Sequence, residues 1–483
     1  MTGRPGSARS AAVRQNCGMT CTDDAATVDA WTALGGRAEL AAAVSYEGAG
    51  DVLPARLPVR ELARACVGVC SLAAAELLAL RNGTPLPAVR VNEAAVATAF
   101  VSERHLRIDG RAAVSFAPLS GFWRAEDGWV RTHANYPHHR ARLLGALGLQ
   151  DTGDDPELAR ALARTLASRP ARSVQEDVYA RGGLAVAVAQ SAEDGAHLLD
   201  DRPLVTTLRT PEAMGTAPRA LPPGPLPASG VRILDLTRVI AGPVATRTLA
   251  LLGADVLRVD PPSLREDADA HTDTGMGKRS TLLDLTAAED RQTFETLLDT
   301  ADVVVTGYRP GALDRHGLSP AALLRRRPGL IVAHLCAWGR SGPWSQRRGF
   351  DSLVQAASGI AAIERGDGDG TPGVLPAQAL DHGTGYLLAA AVLRALSERQ
   401  ATGRGAELRL SLAGTAAWLL RGVRSTPVPA GDADPQPWLA EADSDYGRLR
   451  YALPPVHYEG GPATWARAST RWGSDLPRWT GSS

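Results

Sequence analysis

The chain has 483 residues, 44% of them hydrophobic and 22% charged, with 52 basic side chains balancing 52 acidic ones. That is the composition of a globular protein with room for two or three ordinary cores. A zero charge balance speaks against a nucleic-acid partner, and no apolar run is expected to reach the length of a membrane span.

Residues 1–24 hold Arg, Ser and Gly without an apolar h-region and are expected to form a loose, disordered tail and not a signal peptide. The five cysteines fit neither zinc-finger spacing nor a disulfide framework, so a reducing, cytoplasmic compartment is expected. In the front part, 25–216, Ser71 to Leu80 is an Ala/Leu-rich helix and Ala88 to Val91 a strand. Asp127-Gly128 between apolar residues predicts a hairpin. His133, His138 and His139 crowd into one short stretch. They could hold a metal, but solvated loop histidines are the plainer expectation. Arg160 to Leu166 and Val174 to Tyr179 have the pattern of small surface helices.

Residues 217–230, APRALPPGPLPASG, form a linker, because such a density of Pro and Gly fits neither a helix nor a central strand. Beyond it, over 231–425, strand and helix signals alternate. Val231 to Leu236 is a strand, Pro243 suits the first turn of a helix from Val244 to Leu252, and Asp255 to Asp260 is the next strand. Thr281 to Leu285, Asp302 to Val305 and Leu330 to Leu335 add strands, and Ala287 to Thr300 has helical spacing. Such alternation implies an α/β fold, a Rossmann-like parallel sheet with helices on both faces. Ligands of these sheets bind at the carboxyl ends of the strands. The loops Thr237 to Gly242, Thr306 to Gly311 and Ala337 to Asp351 are therefore the ones to watch. A helix around Leu387 to Glu398 and a strand from Glu407 to Leu412 repeat the front part's order. This weak internal repeat sets Ala65, within a residue or two, opposite Asp381. Residues 426–483, rich in Pro, Trp and Gly, are expected to be irregular.

Lys278 is the sole lysine of a chain that otherwise uses arginine. Either this is chance, or the position needs a compact point charge, as beside a phosphate. A P-loop is rejected because Thr272 and Arg279 replace its required Gly and Ser/Thr. Tyr308-Arg309-Pro310-Gly311 follows a buried strand, with Arg315 six residues past Arg309. It is a solvated loop or an anion site. Asp381 in Leu-Asp-His-Gly-Thr-Gly precedes a long apolar helix. It is an ordinary N-cap or a carboxylate nucleophile, kept ionised by the helix start and approachable past Gly383 and Gly385.

Six segments together resemble family III CoA-transferases, the group that includes formyl-CoA and carnitine CoA-transferases and, as relatives, α-methylacyl-CoA racemases. They are VRILDLTRVIAGPVATRTLALLGADVLRVD, GKRSTLLDL, ADVVVTGYRPGALDRHGL, GLIVAHLCAWGRSGPW, RRGFDSLVQAASG and ALDHGTGYLLAAAVLRALSERQATGRG. The resemblance implies that Asp381 attacks an acyl-CoA and passes through an aspartyl-CoA thioester to a carboxylic acid acceptor. It implies CoA contacts at Ile240, Ala241, Lys278, Arg279, Tyr308, Arg309 and Arg315, and a pantetheine channel along Arg348 to Asp351. Coenzyme A enters as substrate, with no permanent cofactor or metal and no nucleic-acid or membrane partner. Interlocked homodimers are the family's habit. Phe350 stands where the racemases carry an acid/base histidine, which disfavours racemization, and Gly307 replaces the usual asparagine. The family puts its smaller α+β domain after the CoA-binding domain. Here the front part resembles that later half, as in a permuted or degenerate tandem. An acyl-CoA isomerase using His382, and a non-catalytic CoA-binding or scaffold homologue, are the rival expectations.

Overall fold

The computed structural model describes residues 24–114, 116–199, 202–212, 217, 219–368 and 370–481. The expected tail therefore lies, Asp24 apart, outside the described residues.

Six strands of the back part form a parallel sheet: Arg232–Leu236, Asp255–Asp260, Arg279–Leu282, Val303–Thr306, Ile331–Cys336 and Ala406–Ser411. Numbered in that sequence order, they lie side by side as 3-2-1-4-5-6, the doubly wound arrangement. Thr206–Arg209 of the front part closes the edge, antiparallel to Ala406–Ser411. Successive strand residues feed opposite cores. Ile233, Val256, Val303 and Ile331 enter one, and Leu234, Leu257, Val304 and Val332 the other. Both faces are thus buried, which is why the strands are runs of Val, Ile and Leu without polar alternation. The strand order reverses between Arg232–Leu236 and Val303–Thr306, so a crevice opens beyond the carboxyl ends of these two.

The front part is not a separate body, because one hydrophobic core runs from Ala26 through both parts to Trp465. Its centre is a pair of helices, Val59–Asn82 and Ala379–Thr402, each 24 residues long. The first has the length and apolarity of a membrane span, against the expectation from sequence. Its apolar surface is, however, mostly buried in this core. The two helices begin alike, at Pro58 (φ −75°, ψ 60°) and Gln378 (φ −74°, ψ 63°), and both end on a left-handed glycine, Gly83 or Gly403. Each is followed by a strand and then by a helix capped by a polar side chain, Asn92 or Ser411. Counted from the helix starts, Glu61 and not Ala65 corresponds to Asp381. Glu61 is occupied: Arg60 pairs with it at 2.6 Å, and the Thr426 N–H and hydroxyl both donate to it at 2.8 Å.

A smaller α+β unit, Phe122–Arg124, Trp129–Thr132 and Ala185–Ala187 with helices Pro137–Leu147, Asp155–Ala167 and Ala171–Ala180, has its own core around Leu143, Leu162 and Val174. The chain end is less irregular than expected. Leu439–Ser444 and Gly447–Ala452 form a hairpin that pairs with Arg107–Ile108 of the front part. The linker is tied down by Arg81, whose guanidinium donates to the carbonyls of Pro222, Leu226, Pro227 and Ser229.

Gly383 and Gly385 let these helices approach, and they do not open a path for a ligand as the sequence suggested. A Cβ on Gly383 would stand 3.1 Å from Leu62, and one on Gly385 would stand 2.6 Å from the Ala241 carbonyl oxygen and 2.9 Å from Val244. The second clash is with backbone and cannot be relieved by rotating a side chain. Gly385→Ala should therefore cost about 1–3 kcal/mol, the usual range for overpacking, read as a lower denaturant midpoint with an unchanged slope.

Candidate active site

A cavity of 610 Å³ lies along the carboxyl ends of the parallel strands. Its walls come from the loops after each strand: Arg238, Val239 and Ala241, then Asp260 and Pro261, then Leu283 to Thr286, then Gly307 to Arg309 with Arg315, then Ala337 with Arg348 to Phe350. The front part closes the cavity with Tyr136, His138, His139 and Arg142. Two of the three clustered histidines are not solvated as expected, while His138 stays partly exposed. His133 and His139 are buried, and His133 stacks on Phe350 with ring centres 3.7 Å apart. Among the described residues no cluster of metal-ligating side chains is present.

The loop after the first strand is strained. Val239 sits at φ 72°, a region that a β-branched residue rarely enters. Glu266 holds it there, accepting from the Val239 N–H at 3.3 Å. The same carboxylate accepts from Tyr136 Oη at 2.7 Å and from Arg258 at 2.9 Å, so it also ties the front part to this loop. Burial alone would raise the Glu266 carboxyl, but Arg258, Arg238 and Tyr136 outweigh it and hold it at about 2.

Arginine is prominent on the cavity wall. Arg309 and Arg348 have no carboxylate partner among the described residues. Burial lowers the Arg348 guanidinium, and the neighbouring charges of Arg309 and Arg142 lower it further. His139 is pushed down to about 2 by burial, then by His138, His133, Arg348 and Arg142. Like charges held together without counterions mark a site awaiting an anion. Arg348 is fixed by its backbone: Tyr179 Oη of the front part and Trp338 Nε1 both donate to its carbonyl oxygen, at 3.0 and 3.2 Å.

The same wall carries Asp381. Asp381 is the third residue of helix Ala379–Thr402, is 7% exposed, and lines both this cavity and a smaller one of 200 Å³. It does not cap the helix. Asp351 does, accepting from the Asp381 N–H at 2.9 Å, and Gln355 Nε2 donates to its other oxygen. The Asp381 carboxyl group keeps no hydrogen bond of its own among the described residues. Nor does the helix start keep it ionised, as expected from sequence. Burial, then the charges of Asp351 and Glu103, push it well above the usual carboxylate range. Glu103 comes from the short helix Ser102–His105 of the front part and lies 3.6 Å from His382 Nε2. Nothing local in the sequence distinguishes it. His382 is fully buried, stacks on Phe100 at 5.3 Å, and lines neither cavity.

Of the residues singled out in sequence, the large cavity brings together Ala241, Tyr308, Arg309, Arg315, Arg348 and Asp381. Ile240 and Asp351 line the small cavity instead. Lys278 and Arg279 line neither, a correction to the phosphate role expected of them. Lys278 is 2% exposed; its Nζ pairs with Asp235 and donates to Thr246 Oγ1, each at 3.0 Å. Asp235 is wholly buried in the first strand, and an acid there requires a cation. Burial pulls the Lys278 amine down to about 8 against the attraction of Asp235. Arg279 is bound to Asp255 at 2.8 Å.

An α/β protein whose cavity at the strand ends carries both arginines without a carboxylate partner and a carboxyl group without a hydrogen bond is suited to an anionic ligand with a reactive group. Residues 228–437 match the model of CoA-transferase family III, and the resemblance noted in the sequence is shown over this segment. Similar proteins include the probable fatty acyl-CoA transferase Rv3272 of Mycobacterium tuberculosis (strain ATCC 25618 / H37Rv), 38% identical over 37% of this chain and 48% of that protein. Formyl-CoA:oxalate CoA-transferase of Rhodopseudomonas palustris (strain BisB18) is 35% identical over 38% of this chain and 46% of the relative. The chain thus spans about half the length of the curated relatives it matches. A crystal structure of Rv3272 in orthorhombic form, 37% identical, covers 41% of this chain and 56% of that one, with a TM-score of 0.38.

Two outcomes follow for the supporting residues. Lys278→Met should cost about 3–5 kcal/mol by stranding Asp235, and Lys278→Met/Asp235→Leu should recover much of that loss in thermal unfolding. The Glu266 carboxyl, lowered from 4.5 to about 2, contributes stability that is full above pH 4.5 and is lost as pH falls toward 2. Glu266→Gln should flatten that acid limb of the stability curve.

Proposed function

We propose that the protein is a CoA-transferase that moves CoA from an acyl-CoA thioester to a carboxylic acid through Asp381. The observation that carries this is the Asp381 carboxyl group. It is buried, without a hydrogen-bond partner among the described residues, and placed at the junction of the two cavities. Arg309, Arg315, Arg348 and Arg142 would receive the phosphates of CoA, and the reactive end of the thioester would point to Asp381.

In the first step an Asp381 oxygen attacks the thioester carbonyl carbon. A C–O bond forms, the C–S bond breaks, and CoA thiolate leaves an acyl-aspartyl anhydride. The thiolate then attacks the Asp381 carbonyl carbon, and the donor acid departs as a carboxylate. An acceptor carboxylate attacks the aspartyl thioester and expels thiolate again. That thiolate takes the acceptor's acyl carbon and restores aspartate, with no net proton change. Dividing the exchange this way replaces one hard displacement by easier ones. The raised affinity of Asp381 for protons makes its ionised form the more nucleophilic, though less populated at low pH. No permanent cofactor is required.

Phe350 cannot move a proton, and His382 reaches neither cavity, which weighs against an isomerase reading. The front part already supplies walls of the cavity, so we place the functional unit within one chain.

Asp381→Ala should abolish the covalent adduct formed on incubation with acyl-CoA, seen by intact-protein mass spectrometry, while CoA binding persists. Loss of binding as well would assign Asp381 a structural role. Because Asp381 must be ionised to attack, the rate of adduct formation should rise with pH through its elevated pKa. Glu103→Gln removes one neighbouring negative charge and should move that limb to lower pH.

A further inference from the structure

The small cavity of 200 Å³ adjoins the large one, and Tyr136, Val239, Phe350 and Asp381 line both spaces. No described residue lining it is lysine or arginine. Of its carboxylates, Asp267 caps the helix Ala268–Thr274, accepting from the Ala270 N–H at 3.0 Å, and the others fall into two groups. Asp269 and Asp273 are neutralised by Arg111 at 2.6 Å and Arg247 at 3.2 Å. Glu103, Asp351 and Asp381 are not. Glu103 has only loose contacts, with Arg104 at 3.8 Å and His382 at 3.6 Å. Asp351 is held by neutral donors, and Asp381 by none among the described residues.

Two further groups in this cavity await a partner. The Ser352 hydroxyl and His133 Nδ1 are buried without a hydrogen bond among the described residues. His133 is pushed down to about 3 by burial and then by Arg131, so it offers a neutral imidazole and no compensating charge. Apolar rings, Phe116 and Phe350, complete the wall. A second negative charge brought here would lie beside carboxylates without an ion-pair partner on the wall, and the Arg131 guanidinium stands over the Phe116 ring at 5.5 Å and does not line the cavity.

Resting on the transferase reading, we propose that this cavity seats the acyl group and selects compact acids that carry no second carboxylate. Ser352 and His133 give neutral hydrogen-bonding positions to the acyl group, and Phe116 and Phe350 pack against it. Monocarboxylic acyl groups are accepted, and dicarboxylic ones of the same length are refused by charge and not by size.

The test compares matched pairs with the full chain: propanoyl-CoA against malonyl-CoA, and butanoyl-CoA against succinyl-CoA. Binding is followed by calorimetry, and transfer by the adduct on Asp381. The uncharged member of each pair should win by about a hundredfold, as expected for like charges at partly buried sites. Equal or better performance by the dicarboxylic member overturns charge selection, and if adducts still form the transferase reading stands. The expected order in binding without any adduct overturns the transferase reading and leaves charge selection intact. Failure of all four thioesters to bind overturns both. Val114, 72% exposed on the wall of the small cavity, provides a second measurement that does not disturb the core. Val114→Arg should narrow the butanoyl-to-succinyl ratio by about tenfold through the added cation. An unchanged ratio overturns the proposal.

Discussion

The packing of helix Val59–Asn82 against Ala379–Thr402 is the contact on which the rest depends. The two helices make the most extensive contact between any elements of the fold, and the second also packs closely on Ala241–Leu251. Gly383 and Gly385 permit that approach by leaving no Cβ toward Leu62 and the Ala241 carbonyl. Two consequences for the site follow. Asp381 is fixed at the start of a helix that is enclosed on several sides, and the loop bearing Val239 is pressed up to it. The front part, carried by its helix, is docked so that Glu103, His133 and Tyr136 reach the cavities.

A second constraint is the charge gathered around the crevice. Arg309 and Arg348, without a carboxylate partner among the described residues, line the large cavity, and Asp381 lines both cavities. Neither arrangement is favourable by itself. Clustered guanidinium groups repel, and a buried carboxyl beside two others resists ionisation. Such clusters persist where surrounding packing overrides them, which here is the work of Tyr179 and Trp338 on Arg348, and of Asp351 on the helix start. The strain at Val239, held by Glu266, belongs to the same pattern.

What the sequence disclosed follows from which forces are local. The strands were legible because burial on two faces selects uninterrupted Val, Ile and Leu, as in Asp302 to Val305. The crevice was legible because its place follows from strand order alone. The front helix was placed but read as half its true length, since an Ala-rich segment buried all round has no polar stripe to mark its ends. Lys278 misled because its rarity suggested a ligand. The better signal lay elsewhere, in Asp235 within a run of Ile and Leu, an acid that could not be buried without a cation. Glu103 was beyond reach, and His133 was noticed only as one of a histidine cluster, since the contacts of both, with His382 and with Phe350, span more than two hundred residues.

The internal repeat shows how one site is kept and its counterpart closed. Glu61 and Asp381 occupy the same third position of two equally long helices. Both carry a carboxylate, so loss of the acid is not what separates them. At Glu61, Arg60 and Thr426 converge on one carboxylate oxygen, Oε1, and hold the carboxyl below its usual range, although burial alone would raise it. At Asp381 the helix N–H group is taken by Asp351, and the carboxyl is left to the cavities. A carboxylate tied to a guanidinium and two hydrogen-bond donors is less basic than one without partners. The chemical difference between the halves therefore lies in their partners. The segment that brings Thr426 onto Glu61 comes from beyond the last helix of the back part, so the end of the chain stoppers the front copy while its front part completes the back one.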